Sequence, residues 1–93
     1  MHTIWITGGS SGIGFAVAKK FSEENWRVII SSKNKDKLKE AKKKLKNLTN
    51  HKEIYSIPCD IMNYEDVKKT ITQIEKNIAQ INIALLNAAA YSP

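Results

Sequence analysis

The sequence has only one cysteine, Cys59, so no internal disulfide can form and nothing suggests a zinc site. Arginine is as scarce: Arg27 stands alone beside fourteen lysines among the 15 basic residues. The two histidines, His2 and His51, are isolated, with no paired carboxylate and no metal-ligand spacing, and read as surface residues. No uninterrupted apolar run approaches the ~20 residues that cross a bilayer, which excludes a spanning helix. The opening stretch, Met1 to Ile6, lacks the basic start and long apolar core of a secretion signal. These absences predict a cytosolic chain with no membrane partner.

What is present is ordinary for one small globular domain over residues 1–93: 42% hydrophobic and 26% charged residues, too apolar for disorder. The net charge of +6 is local, because eight lysines fall between Lys33 and Lys46. Such a run could be a nucleic-acid patch. Base and phosphate recognition, however, favours arginine forks and interleaved aromatics, and this segment has neither. Its apolar residues Leu38, Ala41, Leu45 and Leu48 recur at steps of three, four and three, so it reads as the solvated face of an amphipathic helix. No nucleic-acid partner is expected.

Two periods alternate along the chain. Thr3–Ile6 is a short apolar strand stopped by Gly8 and Gly9. A helix follows from Gly12 to about Glu24, with Ile13, Ala16, Val17 and Phe21 at helical spacing and Asn25 as a left-handed terminator. Arg27–Ser32 is a second strand, and the lysine-rich helix runs from about Asp36 to Leu48. Glu53–Asp60 is a third strand, with Pro58 near its end, where a missing donor does least damage. Asn63 caps a helix carried by Val67, Ile71, Ile74 and Ile78, with Glu65 and Asp66 at the positive end of its dipole. Ile83–Leu86 is the fourth strand. Strands alternating with helices imply right-handed parallel crossovers, hence an α/β doubly wound sheet of four strands with three helices in the order 3-2-1-4. Ligands of such sheets bind beyond the carboxyl ends of the strands.

The first strand runs into Thr7-Gly8-Gly9-Ser10-Ser11-Gly12-Ile13-Gly14 and then a helix. Glycines there let the backbone turn and approach a pyrophosphate, while N–H groups at the helix start attract its charge. A P-loop would end in Gly-Lys-Ser/Thr, which is absent. The ordinary dinucleotide fingerprint spaces its glycines by one and two residues, whereas Gly8, Gly12 and Gly14 are spaced by three and one.

That pattern closely resembles the cofactor loop of the short-chain dehydrogenase/reductase family. Cys59-Asp60-Ile61 resembles the family's Asp-Val/Ile step after the third strand, and Leu86-Asn87-Ala88-Ala89 resembles the Asn-Ala-Gly segment ending the fourth. Ala89 departs from the usual glycine and Leu86 from the first asparagine of the commoner doublet. The resemblance covers essentially the whole chain. It implies a Rossmann-like fold and hydride transfer between a nicotinamide and a carbonyl or alcohol substrate. It further implies that Gly8, Ser10, Ser11, Gly12, Ile13 and Gly14 hold pyrophosphate and ribose. Asp60 and Ile61 would frame the adenine, and Asn87 and Ala88 would approach the inner ribose. An NAD-selecting site places an acid at the end of the second strand. Here that place, eighteen residues after Gly14, holds Ser32, followed by Lys33 and Asn34. A hydroxyl and an ammonium suit a 2′-phosphate, so NADP is expected over NAD.

The resemblance puts the catalytic Ser, Tyr-x-x-x-Lys pair and Asn beyond the fourth strand. The string Tyr64-Glu65-Asp66-Val67-Lys68 precedes Asn87 and falls in the first turn of the third helix, so Tyr64 and Lys68 are ordinary neighbours rather than a catalytic pair. No catalytic and no metal-ligating residue is expected. The chain therefore reads as the N-terminal, cofactor-binding half of an oxidoreductase, inactive alone, whose full-length form is expected to be a homo-oligomer. The alternative is a non-catalytic dinucleotide-binding module or remnant.

Overall fold

The computed structural model describes residues 1–10 and 12–87. Its elements run β1 (Thr3–Thr7), α1 (Gly12–Glu23), β2 (Arg27–Ser31), α2 (Lys35–Thr49), β3 (Ile54–Ser56), α3 (Tyr64–Asn77) and β4 (Ile83–Leu86). All three pairings are parallel and the strand order is β3-β2-β1-β4, as the sequence predicts. Thr3 to Thr7 lie opposite Arg27 to Ser31 without a bulge.

Alternation along buried parallel strands sends successive side chains to opposite faces, and both faces are covered. Ile4, Ile6, Val28, Ile30 and Ile54 pack with Ala18, Leu38, Ala41 and Leu45, which places α1 and α2 on one side. Trp5, Ile29 and Cys59 pack with Ile74 of α3 on the other. Trp5 is fully buried, and its indole N–H donates to Ser31 Oγ at 2.8 Å, so a large ring enters the core without an orphaned donor.

Three expectations need correction. In α1 the buried residues are Gly14, Ala18 and Ser22, with Ile13 74% exposed and Ala16 also outside. Small residues at i, i+4 and i+8 let the helix lie close to the sheet, while Val17 and Phe21 of the expected stripe pack partly buried against the same core and Ile13 and Ala16 do not. In α3 Thr70 and Ile74 face inward, and Ile71 lies at the surface. β3 is shorter than expected because pairing stops being continuous at Ser56. Ile57 N still donates to Ile30 O at 3.0 Å and Cys59 N to Ser32 O at 3.1 Å. Pro58 falls between them, where an N–H would point to the open edge, so the missing donor costs nothing.

The two expected caps are present: Asn63 accepts from Asp66 N, and Asn25 takes a left-handed conformation with φ of 64°. The structure adds two more around α2, where Asn34 accepts from Lys37 N and Asn50 is left-handed with φ of 53°. His51 is more than a surface residue: its ring Nε2 lies 2.7 Å from Trp26 O, and His2 stacks against the Trp26 ring. No helix among the described residues is long and apolar enough to cross a membrane.

Candidate functional site

The carboxyl ends of the four strands converge because the order β3-β2-β1-β4 places the turn after β1 between the ends of β2 and β4. Gly9 N donates to Ser31 O at 3.1 Å, which ties that turn to β2. Gly8 has φ +66°, and a Cβ there would strike the Asn87 carbonyl. The close pass of the turn against the end of β4 thus requires glycine. At Gly14 a Cβ would strike the carbonyl of Gly8, so the first turn of α1 sits directly against the loop.

Around this turn opens a cavity of about 420 Å³, lined by Gly8, Ser10, Ser32, Lys33, Asn34, Lys37, Cys59, Asp60, Ile61, Met62 and Asn87. Eight of the anticipated residues, Gly8, Ser10, Ser32, Lys33, Asn34, Asp60, Ile61 and Asn87, therefore meet here from four separate segments. Gly12, Ile13 and Gly14 do not line it; they form the start of α1 beside it. Ser11 and Ala88 lie outside the described residues.

Ser10 Oγ donates to Ser32 Oγ at 3.3 Å, joining the glycine turn to the end of β2. Lys33 Nζ lies 4.0 Å from Asp60 Oδ2, an ion pair between an 82% exposed and a 33% exposed side chain. The other Asp60 oxygen, Oδ1, accepts from Met62 N at 3.0 Å, while Asp60 N donates to Asp66 Oδ2 at 2.7 Å. Asp60 is thus fixed from both sides. Asn34 spends its side-chain oxygen on Lys37 N at 3.0 Å, so what it can offer the cavity is its amide N–H₂. Cys59 is buried at the edge of the cavity, and burial pushes its thiol above the ordinary range, against a smaller opposing hydrogen bond with Thr70. An inert, protonated thiol is the result, consistent with a packing role.

Sequence reasoning missed Lys37 and Met62. For Lys37 the signal was available: with Asn34 as N-cap, a residue three positions on lies in the first turn, and helical side chains lean back toward the N-terminus. Met62, 84% exposed at the rim, carries no sequence signal beyond its place after Asp60. Tyr64 is 74% exposed in the first turn of α3 and, like Lys68, is not among the residues lining this cavity. Among the described residues no group of three or more His, Cys, Asp or Glu side chains could hold a metal.

Comparison with known proteins agrees with this architecture. The family model described as short chain dehydrogenase matches residues 2–93. A chlorophyll(ide) b reductase of Oryza sativa subsp. japonica is 31% identical over 98% of the chain, and a 3-dehydrosphinganine reductase of Arabidopsis thaliana is 34% identical over 95%. Among solved structures, the L-sorbose reductase of Gluconobacter frateurii, complexed with NADPH and L-sorbose, superposes with a TM-score of 0.86 at 26% identity. It covers 99% of this chain and 34% of that one. A short-chain type dehydrogenase/reductase from Mycobacterium ulcerans gives 0.87 at 28%, covering 98% and 34%. Fold and topology define a Rossmann-type α/β protein. Within that class, the chain belongs to the short-chain dehydrogenase/reductase family. It spans 27% and 26% of the length of the two reductases from Oryza and Arabidopsis.

Proposed function

We propose that this chain is the cofactor-binding part of an NADP(H)-dependent oxidoreductase acting on a carbonyl or alcohol. The observation that carries this reading is the cavity at the strand ends. A turn with no room for a Cβ at Gly8 forms one wall, two hydroxyls are joined beneath it, and two lysines rim it. Asp60 is the sole carboxylate among the described residues that line it, and Lys33 pairs with it. An NAD site would present a free acid to a ribose 2′-hydroxyl at the end of β2; Ser32 cannot do so.

When bound, the nicotinamide would supply a hydride acceptor or donor. Gly8, Gly12, Ile13 and Gly14, with Ser10 and Ser11, would hold the diphosphate and ribose through backbone N–H groups at the start of α1. Ser32, Lys33 and Asn34 would hold a 2′-phosphate with a hydroxyl, an ammonium and an amide N–H₂. Asp60 would accept from the adenine amino group, with Ile61 against the ring, and Asn87 and Ala88 would orient the inner ribose. The bound NADPH of the L-sorbose reductase, similar over this whole stretch, supports a nicotinamide cofactor of the phosphorylated kind. Substrate and catalysis belong to the whole protein in this reading, and the chain alone binds without turning over.

Titration with adenosine 2′,5′-bisphosphate and adenosine 5′-monophosphate tests it, since the two differ only in the 2′-phosphate. Tighter binding of the bisphosphate is expected; equal affinities overturn the NADP assignment, and no binding of either overturns the cofactor role.

A further inference from the structure

We infer that the open edge of β3, flanked by the lysine row of α2, is a docking surface for an extended acidic segment of a partner protein, which adds to the sheet as a further strand. β3 lies at the end of the sheet and pairs only with β2 among the described residues. Glu53 O accepts from Val28 N at 2.9 Å, Ile57 N donates to Ile30 O at 3.0 Å and Cys59 N to Ser32 O at 3.1 Å. Odd-numbered residues of this stretch thus spend their backbone groups on β2. In a ladder the alternate residues point theirs the other way. Ile54 and Ser56 therefore each turn an N–H and a C=O to the open edge, and Pro58 a C=O alone. Such groups are a template for another strand, and Pro58 sets where the pairing stops.

Charge decides what can pair there. Lys35, Lys39, Lys42 and Lys46 form one row along α2, and none is in an ion pair among the described residues. Lys44, on the opposite flank, lies 5.3 Å from the centre of the Phe15 ring, so that flank faces α1 and the row faces away from it. Lys35 joins Lys33 and, from α3 on the other side of the sheet, Lys69 in lining a cavity of about 370 Å³ at Ile57 and Pro58. Asp60 and Asp66 line it too, but Asp60 lies 4.0 Å from Lys33 Nζ and Asp66 already accepts from Asp60 N. The edge is bracketed by ammonium groups from both faces of the sheet. At ~1.5 Å of rise per residue the row spans ~16 Å, the length of about five residues of strand. A second copy of this edge would bring its own lysines against the row. A segment with an acid at alternate positions instead meets opposite charge at every other residue. The charges that guard the edge against self-pairing thus select an acidic strand.

Fluorescence anisotropy with three labelled peptides tests this: a heptapeptide alternating glutamate and valine, the same peptide with lysine for glutamate, and the glutamate peptide with every backbone nitrogen methylated. The last keeps the charge and removes the donors. The glutamate peptide is expected to bind and the other two are not. K35Q/K39Q/K46Q should weaken binding about tenfold, and S56P should weaken it by removing an N–H from the edge. The three lysines are exposed, so the charge variant folds; should S56P not fold, the methylated peptide carries the backbone arm alone. Equal binding of the methylated and parent peptides overturns strand addition, and unchanged binding to the charge variant overturns the role of the row. A short DNA duplex that binds more tightly than the glutamate peptide overturns the inference in favour of a nucleic acid. Self-association of the chain that S56P abolishes overturns it in favour of a second copy, and no binding of the glutamate peptide overturns it outright.

Discussion

At the scale of single residues, backbone geometry and one ion pair set the sharpest constraints. Gly14→Ala would gain ~1 kcal/mol of helix propensity, but the added methyl meets the carbonyl of Gly8 rather than a flexible side chain. Overpacking of that sort costs ~1–3 kcal/mol. The expected result is a lower denaturant midpoint together with weaker nucleotide binding, because loop and helix must move apart. A midpoint at or above the wild-type value would show that the loop yields freely. Glu53 offers a pH-dependent case. Its carboxyl is held below the ordinary value of 4.5 chiefly by the hydrogen bond from Arg27, 2.9 Å away, and then by Tyr55. A lowered folded-state value contributes stability above the ordinary carboxylate range and loses it as pH falls through the lowered value. The melting-temperature gap between wild type and Glu53→Gln is therefore expected to be open at pH 7 and to close on acidification. A gap independent of pH would mean that Arg27 and Glu53 matter only for packing. Tyr55, which donates to the same Glu53 oxygen at 3.1 Å, is pushed above its ordinary value by burial first and by that carboxylate second, so it stays protonated throughout this range.

Among the elements, α2 carries an unusual charge distribution. Between residues 33 and 46, eight lysines stand against Asp36 and Glu40, which accounts for the whole net charge of +6; the remaining seven basic and seven acidic residues balance. Lys35, Lys39, Lys42 and Lys46 recur at steps of four, three and four, so they form one row along the helix. Lys44 lies on the other flank, 5.3 Å from the centre of the Phe15 ring. Neighbouring like charges at these spacings destabilise a helix by ~0.2–0.5 kcal/mol per pair. Added salt should therefore raise the melting temperature, and Lys39→Glu, flanked by Lys35, Lys42 and Lys43, should raise it at low salt and lose that advantage at high salt. A variant no more stable than wild type at low ionic strength would show the row to be fully relaxed by solvent. The same helix was largely legible in the sequence, because Leu38, Ala41 and Leu45 are large enough to mark its inner face, while Leu48 at its end is left 53% exposed. In α1 the inner face is written in Gly14, Ala18 and Ser22, residues whose value lies in what they lack, and a hydrophobic period cannot register that. β3 was overread because Ile57 and Cys59 keep their hydrogen bonds to β2 after regular pairing ends.

For the whole molecule, the decisive feature is that the strand order gathers residues distant in sequence at one end of the sheet. Gly8, Ser32, Asp60 and Asn87 each follow a different strand, and all four line the same cavity. Gly8, Ser32 and Asn87 lie directly where a strand stops and Asp60 shortly after β3, so motif spacing alone could place them. Lys37 is legible only through side-chain direction once Asn34 is read as the cap of α2, and Met62 carries no such signal. A ligand seated there bridges the ends of every strand, so the folded state is stabilised as a unit, including β4. That strand pairs only with β1 among the described residues and leaves Ile83 and Leu86 43% and 57% exposed. It is anchored at its start by Asn82, which donates to Thr3 O at 2.9 Å and accepts from Thr3 N at 2.7 Å. A ligand present at a hundred times its dissociation constant stabilises the native state by ~2.7 kcal/mol. With ~4–8 °C of melting shift per kcal/mol for a domain of this size, NADPH at that excess should raise the melting temperature by roughly 10–20 °C. NADH at the same concentration should raise it less, since it lacks the phosphate that Ser32 and the rim lysines would hold. Equal shifts would remove the case for NADP while keeping a dinucleotide site. No shift with either would mean that the cavity at the strand ends does not hold a nicotinamide dinucleotide, and that the family resemblance survives in the fold without its binding function.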